Sequence, residues 1–305
     1  MKLKAFIVLF VSFTASYASA GDVKSFDSGI CKFNLHDYEL TPHVERAIVF
    51  GVSRILDTYK DTFGFSFPDD FKVKVTIFGD EEEFLKYQKE QLGLIISEMG
   101  YYSGKYRETV VLQKKNTKRT EDAKQMVAVV FHEANHLILR HSIPSCPMWA
   151  NEGLSEYFDG LNVFGKNRRV YLQENRSQWC KYWLEKGFPI ELDKYLSLSY
   201  DDWTTFKNKD ANAAYTIGYS LVYFMMSRSD TEKILKELLW GFKRTGEDTD
   251  SIKIINDYYP GGFEKLQRSW REWIPKARSY RPLRALREEA EKEKEGSPIE
   301  EPNEN

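Results

Sequence analysis

Apolar residues recur every three or four positions over 43–61, where Val44, Ala47, Ile48, Val52, Ile55 and Leu56 share one side and predict an amphipathic helix. The stretch 71–78 (FKVKVTIF) alternates apolar and polar residues instead, the pattern of a half-buried strand. A charged amphipathic helix follows over 80–92, its start marked by Asp80 with Glu83 three residues on. Residues 101–112 read as further strand, interrupted at Gly104. Helical periodicity then runs from about Thr120 to His141, until Pro144, Ser145 and Pro147 break it, and a second helix begins near Asn151. After Ser229 the chain reads as helices, including 231–242 and 263–274. Strands with helices come first and helices alone come second. This predicts an α+β fold with a small β-sheet in the N-terminal half, sub-domains of about 21–145 and 146–280, and a cleft where they meet.

The two ends carry no such pattern. Lys2 and Lys4, the short apolar run 5–13 and the small residues Ala18-Ser19-Ala20 make 1–20 a signal peptide, too short to act as a membrane anchor. The mature protein is therefore expected outside the cytoplasm, periplasmic or extracellular. At the other end, 288–305 holds eight Glu and two Lys with Pro298 and Pro302, so the tail from about 281 is expected to stay disordered. Across the chain 44 Lys and Arg meet 46 Asp and Glu, a net charge of −2. A nucleic-acid binder driven by phosphate neutralisation needs a basic excess, which is absent. The basic loop 114–119 reads as an ordinary solvated turn.

Three cysteines in an exported chain allow one bridge and one leftover thiol. Cys146 lies in the Pro-rich turn and Cys180 in a later helix, and a Cys146–Cys180 disulfide is expected to brace that turn, leaving Cys31 free. No cysteine pair has metal-clip spacing, so any metal site must be built from His and carboxylates. Trp179, Tyr182 and Trp183 share one helical face and read as core packing, with a substrate rim as the alternative.

The segment His132-Glu133-Ala134-Asn135-His136 carries the chemistry. Residues four apart share a helix face, so both imidazoles can point at one ion. Glu133 sits beside them, where it can take a proton from a water at the metal. By composition alone this pattern arises by chance in roughly one chain per 130. Its apolar flanks, Val129 to Phe131 before and Leu137 and Ile138 after, bury the helix. A zinc site needs a third protein ligand and an open position. His141 lies about 140° around the helix from His136 and cannot join it without a turn in the chain. Glu152 and Glu156 are again four apart, on a helix that can fold back against the first. One of them can bind zinc while the other accepts the spare ring N–H of a ligand histidine.

With Trp149-Ala150-Asn151-Glu152-Gly153-Leu154-Ser155-Glu156-Tyr157-Phe158, the His132–His136 segment resembles the gluzincin zinc peptidases, and most of all the peptidase MA-like group related to aminopeptidase N and thermolysin. The resemblance implies a thermolysin-like catalytic domain holding one zinc ion, with Glu152 as third ligand and Glu156 as the carboxylate behind His132. The stretch Tyr215-Thr216-Ile217-Gly218 is similar to the aminopeptidase helix that begins Tyr-x-x-Gly, which makes Tyr215 the group that stabilises the transition state. The spacer between His136 and Glu152 is 15 residues, shorter than in the aminopeptidases. The Gly-x-Met-Glu-Asn strand that holds a free substrate amine is replaced by Gly100-Tyr101-Tyr102-Ser103-Gly104, with no carboxylate before Glu108. The expectation is thus a zinc metallopeptidase cutting peptides or proteins, an endopeptidase rather than an aminopeptidase. Two other readings stand beside it: a zinc-containing binding or envelope-maintenance protein on a peptidase scaffold, and an exported protein in which the motif is accidental.

Overall fold

The computed structural model describes residues 23–113, 120–164 and 169–277. Residues 1–20, expected to be a signal peptide, the basic loop 114–119 and the acidic tail lie outside the described residues. The chain opens with an antiparallel hairpin, β1 (Val23–Ser28) and β2 (Cys31–His36), turned at Gly29 with φ 53°. Cys31, Phe33 and Leu35 point inward from β2 while Lys32, Asn34 and His36 point away. Helix α1 (Pro42–Asp57) starts at Thr41, whose side chain accepts from the Val44 amide, and Pro42 occupies a position that needs no N–H. All six apolar residues of the sequence pattern are buried on it.

Strand β3 (Val73–Phe78) runs parallel to β2, with Phe33 opposite Val75. It is not half-buried as its alternation suggested. It sits in the middle of the sheet, and even Thr76 is fully buried, donating to Glu108 Oε2 at 2.9 Å. Helix α2 (Glu81–Leu92) begins at Asp80, whose carboxylate accepts from the Glu83 amide at 2.9 Å, and ends at Gly93 with φ 79°. The 101–112 stretch is two strands, β4 (Gly100–Ser103) and β5 (Glu108–Leu112), antiparallel around a four-residue turn. The sheet order is β1-β2-β3-β5-β4, with β5 parallel to β3.

Among the described residues, every element beyond the sheet is helical apart from one isolated bridge between Leu161 and Val170. The order is α3 (Thr120–Ser142), α4 (Met148–Asp159), α5 (Glu174–Lys186), α6 (Leu192–Leu196), α7 (Tyr200–Lys209), α8 (Ala211–Met226), α9 (Ser229–Thr245), α10 (Ser251–Tyr258) and α11 (Gly262–Trp273). Helix α4 starts three residues earlier than the sequence suggested. One face of the sheet packs on α1 and α3, and the same cluster of buried side chains continues through α4 to α8 and α11. The other face carries α2 over Phe78, Tyr101 and Val110.

The Cys146–Cys180 disulfide is not formed; all three cysteines are free and buried. Cys146 faces Tyr59 at the end of α1, whereas Cys180 lies beside Ser220 of α8, so each thiol is absorbed by a different part of the core. Burial pushes Cys31 up to about 12 and Cys180 up to about 11, which keeps both as inert thiols. Of the aromatic stripe on α5 only Trp183 is core; Trp179 and Tyr182 are 45% and 50% exposed. No helix among the described residues is long and apolar enough to cross a membrane.

Candidate metal centre

Helix α3 is fixed in rotation by Phe131, whose ring lies so close to Gly51 of α1 that a Cβ there would come within 2.0 Å of it. With Phe131 and Val130 inward, His132, Glu133 and His136 turn toward α4. Asn135, fully buried, reinforces that setting. It accepts from Tyr59 Oη at 2.8 Å and donates to Ser155 Oγ of α4 at 2.9 Å.

Glu152 comes up from α4 between the two rings. Its Oε2 lies 3.5 Å from Nε2 of His132 and 3.8 Å from Nε2 of His136, and the ligand atoms of all three residues fall within 4.8 Å of one another. Ligands about 2.0–2.2 Å from a tetrahedral ion sit roughly 3.3–3.6 Å apart, so the Glu152–His132 pair has that spacing and the Glu152–His136 pair lies slightly beyond it, a group of two nitrogens and one carboxylate oxygen that could hold one ion. Each ring has a polar side chain behind it. Nδ1 of His136 donates to Asn151 Oδ1 at 2.8 Å, which leaves the Nε2 lone pair facing Glu152. Asp159 Oδ1 lies 3.3 Å from Nδ1 of His132.

Glu156, the carboxylate expected behind His132, shares that position with Asp159. Glu156 is beside it, within the same His132 cluster, but directs its carboxylate to an ion pair with Arg176 of α5. Arg176 also donates to Thr216 Oγ1 of α8 at 3.0 Å and to Gln173 Oε1 at 3.0 Å, tying three parts of the chain together behind the site. Asp159, Asn151 and Arg176 were missed in the sequence. Asp159 had a usable signal, since 152, 156 and 159 fall on one helix face. Arg176 had none, because it arrives from another helix. His141 is not part of the cluster; its Nδ1 meets Arg107 at 2.8 Å.

The electrostatics ask for a cation. Glu133, Glu152 and Glu156 are only 9%, 8% and 6% exposed, with Asp159 beside them. Burial raises the Glu133 carboxyl, with His132 and His136 pulling it back. Burial and the neighbouring Asp159 push Glu156 up against the pull of Arg176. Burial works on Glu152 in the same direction, but His136, His132 and Lys207 outweigh it and hold it low. For His132 burial disfavours the charged ring, yet the surrounding carboxylates, Asp159 first, lift it well above its ordinary value. Such a pocket concentrates negative charge that a bound dication would balance.

Tyr215 is the one residue of 213–226 on α8 that is not buried. Its ring packs edge-on against Trp203 at 5.5 Å, and its phenol is raised by burial and then by Glu152, Glu156 and Glu133. It therefore stays protonated at neutral pH, with these carboxylates among its charged neighbours. Two glycines bring it there. A Cβ on Gly153 would lie 2.7 Å from the carbonyl oxygen of Gly218, and one on Gly218 would lie 2.8 Å from that of Trp149. Helices α4 and α8 thus cross with their backbones in contact, beside Glu152 on one and one turn from Tyr215 on the other.

Neither protein-family models nor curated proteins gave a match to this chain. Among solved structures it is similar to an aminopeptidase N family protein from Idiomarina loihiensis, with a TM-score of 0.45 and 17% identity, over 81% of this chain and 46% of that one. The chain spans about half the length of that protein. The chemistry of the site stands on its own residues.

Proposed function

We propose that this chain is an exported zinc-dependent metallopeptidase of the gluzincin, peptidase MA-like type, with a thermolysin-like catalytic centre in a cleft between the sheet-bearing half and the helical half. The observation that carries the reading is the convergence of His132 Nε2, His136 Nε2 and Glu152 Oε2 on one point, each histidine backed at Nδ1. Those three residues would hold the ion. Zinc there supplies Lewis acidity toward a peptide carbonyl and lowers the pKa of water. Glu133, buried next to both histidines, accepts the proton of the attacking water and returns it to the leaving amine. Tyr215 donates its phenolic hydrogen to the oxyanion as it develops. Asn151 and Asp159 keep the rings from rotating.

Endopeptidase action is favoured because β4 carries no carboxylate to grip a free amine. The first one after it, Glu108, is consumed in the core by Lys74, Thr76, Tyr87 and Gln91. The outer edge of β4 is unpaired among the described strands, and an extended peptide can add to it by main-chain hydrogen bonds. Metal analysis together with hydrolysis of a peptide library tests the whole reading. One zinc per chain is expected, with cleavage abolished by chelator and by Glu133→Gln while the Gln variant keeps its metal. A metal-free protein, or cleavage indifferent to chelator, rejects it.

A further inference from the structure

One turn beyond His136 on α3, a second constellation opens to solvent. Arg140, His141, Tyr102 of β4, and Gly104 and Arg107 of the β4–β5 turn line an open pocket of about 220 Å³. Neither guanidinium is paired with a carboxylate among the described residues. Arg107 is nevertheless held in place. Its backbone has φ 50°, a conformation that favours Gly or Asn, and its Nη2 donates to Nδ1 of His141 at 2.8 Å. His141 is itself clamped, stacked on Phe67 at 5.3 Å and tilted against Phe71 at 4.8 Å. Burial, Arg107 and Lys243 all lower its pKa, so the ring is neutral and free to accept. The phenol of Tyr102 is raised by burial with Arg107 and Arg140 opposing, which leaves it a protonated donor lining the same pocket as the two arginines. A left-handed arginine oriented by a wedged neutral histidine, with a second arginine and a phenol facing the same space, is a set of donors arranged for an anion.

We propose that this pocket binds a carboxylate of the peptide substrate, either its free C-terminus or an Asp or Glu side chain, through Arg107, Arg140 and Tyr102. The assignment rests on the peptidase reading for the identity of its ligand. Arg140 is four residues past His136, about 6 Å along the helix axis. An extended peptide advances roughly 3.3 Å per residue, so the recognised carboxylate lies about two residues from the cleaved bond. Charge-assisted bonds from two guanidinium groups favour it over a neutral amide by about tenfold or more. His141 acts as a positioning residue through Arg107.

Calorimetry on the full-length protein tests this in chelator, where nothing is turned over. Three otherwise identical hexapeptides serve as probes: a free C-terminal acid, the C-terminal amide, and the amide carrying one internal Asp. At least one carboxylate-bearing peptide should bind about tenfold or more tightly than the plain amide, and which one identifies the source. Arg107→Gln with Arg140→Gln should erase the difference, and His141→Phe, which keeps the ring stack but removes the acceptor, should reduce it. Circular dichroism shows whether each variant is folded; the single arginine variants replace the double one if it is not. Equal binding of all three peptides, no binding at millimolar concentration, or a preference that survives the arginine substitutions overturns the proposal. If the preference is present and lost with the arginines, while the metal-loaded protein cleaves none of the peptides, the carboxylate site stands and the peptidase reading falls.

Discussion

His132 meets Glu152 through Nε2 and Asp159 near Nδ1, so the two carboxylates act on opposite sides of the same ring. Glu152→Gln puts a neutral amide where a dication needs charge, and zinc affinity measured by competition with a chelator should fall sharply. Retention of wild-type affinity would remove Glu152 from the ligand set. Asp159→Ala takes away only the support behind the ring and should cost about 10–100-fold in affinity or activity. Glu156→Ala acts elsewhere, because it strands the half-buried Arg176 guanidinium. Its loss should appear mainly as about 3 kcal/mol of stability in denaturant unfolding. If Glu156→Ala weakens zinc as much as Asp159→Ala does, the division of roles between them is wrong. In the proposed mechanism the Tyr215 phenol acts only in the transition state. Tyr215→Phe should keep fold and zinc and lower kcat by about 10²–10³ with KM little changed. A near-normal kcat would leave Tyr215 as a packing residue against Trp203.

The crossing of α4 and α8 depends on Gly153 and Gly218, and a methyl group at either would strike main chain. Gly153→Ala should destabilise by about 1–3 kcal/mol and also lower kcat, since it pushes Glu152 away from Tyr215. Thermal unfolding and turnover of that variant check both effects; wild-type values for each would show that the helices have slack. Much at this scale was legible in the sequence. The cap at Asp80, the helices α1 and α3, and the face shared by His132 and His136 depend on residues within a turn or two of one another. What was not legible depends on distant partners. Nothing local in FKVKVTIF reports that β3 has strands on both sides, so its Lys74 and Thr76 looked solvent-facing when they in fact reach the buried Glu108. The β2 strand CKFNLH alternates as clearly, yet nothing in it reports its parallel pairing with β3, which the α1 crossover between them makes possible. The missing disulfide has the same origin, because a turn and a later helix near in sequence order are seated in different parts of the core. Arg107 and His141, 34 residues apart, meet only through the β4–β5 turn and the end of α3.

For the molecule as a whole, the sheet is pinned to α2 by Glu108, which is fully buried and bonded to Lys74, Thr76, Tyr87 and Gln91. Burial alone would raise its carboxyl, but these four donors prevail and hold it below its ordinary 4.5. A depressed folded-state pKa means that the stabilisation is complete above the unfolded value and is lost as pH falls through the folded one. Stability should therefore drop in acid below about pH 4 to 5, and Glu108→Gln should flatten that part of the profile while lowering stability at neutral pH. An unchanged acid limb would show that Glu108 is not the group titrating. The α4–α8 crossing has a mechanical consequence as well. Where two backbones touch, neither helix can swing without dragging the other, so this wall of the proposed cleft behaves as a stiff anvil. Whatever compliance admits a bulky substrate has to come from the opposite wall, the β4 edge and the turn that carries Arg107.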